Sequence, residues 1–211
     1  MLNTTSAFKQ KLYNNERNFI NRLVITLSDN TQLTIDNEHI MGTGGVELDD
    51  AVSEDDSFSA LGATIINSAT FVLYNNDEIY SDYDFTNAKV VYYTGLYIDT
   101  EINNVQTSVL EEIKKGTFTV DEATYSQATI TLYVLDYMEQ FDRPYSESTL
   151  VYPATLGEIV RDACSHCLGS ATHLATQQFP YYTYSIPTRP DDEATTFREV
   201  VGYAATLAGC F

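Results

Sequence analysis

Hydrophobic and polar positions alternate in short runs up to about residue 145 and then change period. Leu23, Ile25 and Leu27 alternate against Val24 and Thr26, and after Ser28-Asp29-Asn30-Thr31 the run resumes with Leu33 and Ile35. That pattern with that turn chemistry predicts a β-hairpin. Strand signals return at Ala69–Tyr74, where Phe71 and Leu73 oppose Val72 and Tyr74, and at Val90–Tyr93. The polar stretch between them, with Asn75, Asn76, Asp77, Asp82 and Asp84, reads as a tight connection. Gly95 marks a turn or bulge before Tyr97 and Ile98, and a further run surrounds Val105, Val109 and Leu110.

The clearest local reading is Lys115–Tyr145. Phe118 and Val120 share a face, the polar segment Asp121–Gln127 turns the chain, and Ala128, Ile130, Leu132 and Val134 form the inner face of the next strand. Asp136 then caps a short turn carrying Tyr137, Met138 and Phe141, which Pro144 stops. Short strands following one another without interleaved helices predict an antiparallel barrel or sandwich. Ahead of them, Ser6 is placed to cap a short helix with Phe8, Leu12 and Tyr13, an N-terminal arm over residues 1–18.

After Pro153 the period becomes helical. Thr155 and Glu158 form a capping-box pattern ahead of Leu156, Ile159, Val160, Ala163 and Cys164, and Gly169 is placed to end the helix. Thr196 and Glu199 repeat the box ahead of Phe197, Val200, Val201, Ala204 and Leu207, with Gly209 as the stop. Between the two helices, Phe179–Ile186 reads as an extended, tyrosine-rich stretch bounded by Pro180 and Pro187. The fold class expected is α+β: a mainly antiparallel β-barrel domain over 19–145, then a small α/β domain over 146–211.

Composition narrows function by exclusion. Sixteen tyrosines and ten phenylalanines in 211 residues supply ample core. A formal net charge of −19 repels phosphate backbones and anionic lipid, so neither nucleic acid nor membrane is expected as a partner. There is no apolar run long enough to span a bilayer and no basic-then-apolar leader, and the expectation is synthesis in a bacterial host cytoplasm. Cys164, Cys167 and Cys210 are an odd number near one end and read as reduced thiols.

Candidate chemistry is sparse. Gly42, Gly44 and Gly45 with Glu47, Asp49, Asp50, Glu54, Asp55 and Asp56 lack the alternating oxygen ligands of a calcium loop, and Gly42-Thr43-Gly44-Gly45 lacks the Lys of a phosphate loop. Cys164, His166, Cys167 and His173 invite a zinc reading, but a helix would hold the two cysteines on its core face. A cysteine nucleophile with His166 or His173 lacks an orienting third group. The expectation is therefore no catalytic residue, no cofactor and no metal. Tyr181, Tyr182 and Tyr184 are the candidate interface, with carbohydrate stacking as the sharper alternative.

The order of segments carries a resemblance. LVITLSDNTQLTIDNEHI, FSALGATIINSATFVLYNNDEIYSDYDFTNAKVVYYTGL and KGTFTVDEATYSQATITLYVLDYMEQFDRPY, followed by YPATLGEIVRDAC and TTFREVVGYAATLAGCF, resemble the N-terminal part of phage and prophage tail proteins of Gram-positive hosts, of the baseplate-hub or tail-associated family. The resemblance implies a β-barrel followed by an α/β domain, assembled as a ring, most simply a trimer, at the tip of the tail tube with other phage tail proteins. It implies a non-enzymatic structural role in the virion tail. The alternatives from other classes are a carbohydrate-binding or host-surface-binding module and a cell-wall hydrolase fragment. Family members continue past this length, so the second domain is expected to be truncated, either as a shortened gene product or as a fragment.

Overall fold

The computed structural model describes residues 4–14, 17–49, 61–102, 105–169, 178–190 and 194–210. The chain divides into two compact units, residues 1–48 with 68–136, and residues 49–67 with 137–211.

Seven strands make the sheet of the first unit: β1 (Phe19–Thr26), β2 (Gln32–Ile35), β3 (Val46–Asp49), β4 (Ser68–Tyr74), β5 (Lys89–Ile102), β6 (Val105–Tyr125) and β7 (Thr129–Asp136). They lie in the order β2-β1-β5-β6-β7-β4-β3, and each ladder described is antiparallel. Register puts the apolar positions opposite one another: Leu23 faces Ile35 and Tyr92, Ile25 faces Val90, Val90 faces Phe118, Val120 faces Val134, and Leu132 faces Phe71. All of these are buried in one core, joined by Phe85 and Ala88 from the β4–β5 connection. A slip of one residue would turn Leu23, Ile25 and Leu73, each fully buried, out to water, at about 1.5 to 3 kcal/mol per side chain.

The class is α+β as expected, but the sheet does not close into a barrel. β2 and β3 are its two edges, each four residues long. Asp36 leads from β2 into a 3-10 turn at Asn37–His39, so no strand remains there to pair across the gap. What spans the gap is a crossing segment. Ile40 bridges Leu73, Met41 N–H donates to the Val72 carbonyl (2.9 Å), and Val72 N–H donates to the Gly45 carbonyl (2.9 Å).

Three local expectations shift. Gly95 sits mid-strand, paired with Ile20 and Glu112, because a side chain there would meet the Glu111 carbonyl of the neighbouring strand. The irregularity lies instead where Tyr92 faces Gly116 while Tyr93 faces Lys114, which leaves Lys115 as the extra residue. The polar segment from Asp121 is strand as far as Tyr125, with a register shift between Val120 and Glu122, and the turn is confined to Ser126–Ala128. Its polarity reflects a solvated face rather than a reversal.

Helix α1 (Ser6–Leu12) is capped by Thr5, not Ser6. The hydroxyl one residue earlier has the extended backbone that lets it accept from Phe8 N–H.

In the second unit, α2 (Leu156–Leu168) and α3 (Phe197–Ala208) carry both capping boxes as read, and Gly169 and Gly209 end them at φ 65° and 68°. Their buried stripes meet Phe141, Tyr145 and Ala154. Residues 137–145, grouped with the strands in the sequence reading, thus contribute Phe141 and Tyr145 to this core. On α3 the buried stripe is Phe197, Val200, Ala204 and Ala208, whereas Leu207 is exposed along with Tyr203. The segment Phe179–Ile186 is mostly turn; its strand content is β9 (Ser185–Ile186), paired with β8 (Ala154–Thr155).

The first capping box yields a pH expectation. The Thr155 backbone N–H and hydroxyl both donate to the Glu158 carboxylate at 2.8 Å and hold its pKa below the ordinary value of 4.5. A depressed carboxylate contributes fully above its unfolded pKa, and that contribution is lost as pH falls through the lower folded value. Amide exchange at the first turn of α2 is expected to accelerate selectively below about pH 4.5, relative to mid-helix amides, and in Glu158→Ala at neutral pH.

Candidate functional site

The longest feature of the first unit is the β5–β6 hairpin. β1 accompanies β5 only up to the pairing of Phe19 with Leu96, and β7 accompanies β6 only from the pairing of Phe118 with Asp136. Among the described residues, then, 105–117 of β6 have no strand on the side away from β5, and 97–102 of β5 have none on the side away from β6. Main-chain N–H and C=O groups pointing to an open edge are groups on which another strand can pair. Glu111, Glu112, Lys114 and Lys115 along that edge disfavour indiscriminate pairing. At the root of this extension, Arg22 holds Glu112 through two 2.8 Å hydrogen bonds and lies over the Tyr93 ring at 4.3 Å.

One face of the extension is covered by α1. Phe8 (2% exposed), Leu96 and Ile98 form a small core of their own, flanked by Leu12 and Ile113. Thr5 donates its backbone N–H and its hydroxyl to the two oxygens of Glu111, at 2.8 and 2.6 Å, and Lys11 Nζ reaches Asp99 at 3.2 Å. Sequence reading found the helix and the alternation at Tyr97 and Ile98 but not their meeting. The available signal was Leu96, Ile98 and Ile113 recurring on one face of the two paired strands.

The tyrosine trio is split by the structure. Gly157 N–H donates to the Tyr182 carbonyl and Leu156 N–H to the Tyr184 carbonyl, both at 3.0 Å, so the loop folds onto the start of α2. The Tyr182 ring packs against Gly157, meets Phe179 edge-on at 5.2 Å, and its hydroxyl takes a hydrogen bond from Arg161. Tyr181 holds a left-handed backbone (φ 58°) and is 68% exposed, and Tyr184 is 55% exposed. One tyrosine is an anchor and two are presented; they do not form a continuous stripe.

A polar cluster lies in the second unit that spacing did not reveal. Buried Ser148 donates to Asp162 at 2.7 Å, and Nδ1 of His166 lies 3.3 Å from the other Asp162 oxygen while its ring stacks on Phe197. The Ser148 hydroxyl donates to the carboxylate, which lies between it and Nδ1 of the imidazole, unlike the order of a serine–histidine–aspartate triad. Nearby, Arg189 donates to the Tyr145 and Ser148 carbonyls and lies over the Tyr145 ring, and the Tyr145 and Tyr152 hydroxyls share a 2.8 Å hydrogen bond. Burial, reinforced by that hydrogen bond, pushes the Tyr152 phenol well above its ordinary range. These groups bracket the 3-10 turn at Tyr145–Glu147 against α2.

Cys164 and Cys167 face this core, and among the described residues no group of three or more metal-ligating side chains gathers. His173, Asp50, Glu54, Asp55 and Asp56 lie outside the described residues; Glu47 and Asp49 are exposed on β3. Burial raises both thiols, Cys167 to about 11, and the thiolate is the reactive form. With a neutral alkylating reagent at pH 8, Cys210 is expected to react first, and Cys164 and Cys167 only as the unit unfolds. Equal rates at all three would contradict this packing.

No protein-family model matches the chain, and no curated protein matches it. Among solved structures, a chain from "Virion of native gene transfer agent (GTA) particle" is similar, with a TM-score of 0.42 and 10% sequence identity over 72% of this chain and 50% of that chain. This chain therefore spans about half of that neighbour, and at this TM-score the likeness carries no argument about fold or function.

Proposed function

We propose that this chain is a non-enzymatic structural component of a phage or prophage tail tip, of the baseplate-hub kind, acting in the virion tail with other tail proteins and with further copies of itself, most simply as a trimer. The observation that carries this reading is the main-chain edge along residues 108–117, which has no strand on the side away from β5 among the described residues and offers a neighbouring chain hydrogen bonds without requiring a pocket. The order of segments along the sequence supports it, as do Tyr181 and Tyr184, since tyrosine favours the centre of interfaces. Repulsion between subunits of charge −19 opposes assembly, and salt relieves it as the screening length falls to about 8 Å near physiological ionic strength.

The test is incorporation. An epitope-tagged chain is expected to co-sediment with tails, to label one end of them, and to self-associate more strongly as salt rises. Release of reducing ends from bacterial wall, abolished by a single Asp or Glu substitution, would overturn the reading. The two presented tyrosines also support a second reading, glycan binding; retention on a glycan array that is lost in Tyr181→Ala and Tyr184→Ala would favour it.

A further inference from the structure

We propose that the face of the β5–β6 extension formed by Leu96, Ile98 and Ile113, with Asp99 and Glu111 beside it, is a receptor for segment 5–12 of a second copy of this chain, so that assembled subunits exchange α1. This rests on the reading of the chain as a subunit that assembles with itself.

Three observations carry it. First, α1 has seven residues, too few to hold helical form unaided, so its order comes from docking. Thr5 couples the two events: its hydroxyl oxygen accepts from Phe8 N–H at 3.1 Å, capping the helix, while its hydroxyl and backbone N–H donate to Glu111. Folding of the arm and its recognition by the hairpin are thus one step. Second, the contact is modular. Phe8, Leu96 and Ile98 form a cluster separate from the sheet core, so the arm can leave without opening that core. Tyr13, the C-cap of α1, is 89% exposed, and its side chain does not tie the arm down.

Third, charge selects the occupant. Residues 1–14 carry Lys9 and Lys11 and no acidic side chain, whereas the extension sets Asp99 and Glu111 against the arm in a chain of net charge −19. A basic, amphipathic segment meeting an acidic receptor is an attraction that two copies possess despite their overall repulsion. Exchanging an identical element keeps every contact, so the balance between the arm on its own hairpin and on a neighbour's is set by local concentration. The connection from Tyr13 to Asn18 reaches at most about 20 Å, which restricts exchange to directly adjoining copies.

The experiment uses the full chain in two charge-reversed forms, Lys11→Glu and Asp99→Lys, with sedimentation equilibrium at low salt. Each form places like charges at the docking site. Mixed one to one, the lysine of one form can meet the glutamate of the other between copies. The mixture is expected to associate about fivefold more tightly than either form by itself. Association of the mixture no greater than that of the separate forms overturns the exchange. Phe8→Ala gives a second measure: self-association of the wild-type chain is expected to be lost while the β-sheet circular dichroism persists, and unchanged association overturns the proposal. Failure is separable from failure of the assembly reading. If wild-type chain enters tails and self-associates but both measures are indifferent, the exchange falls and the reading stands. If wild-type chain remains monomeric at every salt and enters no tail, both fall.

Discussion

Phe197→Ala is expected to destabilise the second unit by about 3 to 5 kcal/mol. The ring is fully buried at the first position of α3, edge-on to Tyr145 at 5.1 Å and stacked on His166 at 5.3 Å. Removing it deletes the element on which the 3-10 turn, α2 and α3 converge, and the cavity is lined by side chains fixed elsewhere: Tyr145 by its bond to Tyr152, His166 by Asp162. Partial collapse is therefore poor, which places the cost toward the upper end of the range. Because whole-domain stabilities are about 5 to 15 kcal/mol, this substitution removes a large share of the unit's stability. Alkylation of Cys164 and Cys167 provides a readout local to this unit, since both thiols share the core with Phe197. Their protection is expected to be lost at markedly lower denaturant while the sheet signal from the first unit is retained. A shift equivalent to less than about 1 kcal/mol would contradict the packing described.

Gly45→Ala is expected to cost the first unit about 3 kcal/mol, at the top of the usual range for overpacking. Gly45 is buried, and an added Cβ would lie inside the contact distance of the Met41 carbonyl, a main-chain group with nowhere to move. Val72 accepts from Met41 N–H and donates to the Gly45 carbonyl along one edge of β4, and that pair of hydrogen bonds is how the crossing segment is fastened to β4. Forcing the 41–45 turn open breaks both bonds and withdraws Ile40, which is 3% exposed, from the core. Gly42→Ala is the matched control, because nothing lies within 4 Å of a side chain there. The expected outcome is a lower urea midpoint for Gly45→Ala and little change for Gly42→Ala. Equal effects would show that the turn is adaptable and the clasp is not structural.

The tyrosine candidates show where pattern reading stops. Composition and order placed Tyr181, Tyr182 and Tyr184 together, but alternation could not see that two backbone bonds to the start of α2 fold the segment into a turn. Once folded, exposure is decided by the turn and not by period: Tyr182 is turned toward Gly157 while Tyr181 and Tyr184 point to water. Likewise, Asp162 and His166 are four apart on one helix, but neither Ser148 nor Arg189 has a telling spacing to them in sequence. Their meeting depends on the 3-10 turn at Tyr145–Glu147 lying against α2.

What the sequence by itself determined are the features whose energy is local or repeats with the chain's own geometry. Period-2 alternation set the buried faces of β1, β4 and β7, since a strand places successive side chains on opposite faces. Both helices of the second unit followed from caps that bond within three residues, Thr155 with Glu158 and Thr196 with Glu199. Tertiary structure decided the rest. Sheet closure depends on whether two distant edges meet, and a 3-10 turn after Ile35 ensures that they do not. Gly95 reads as a turn or bulge yet permits strand approach, and Gly45 makes room for a main-chain clasp, because a glycine's role is set by which backbone comes near it. The helix α1 was legible, but its receptor was not, since Thr5 and Glu111 are 106 residues apart and no local rule couples them.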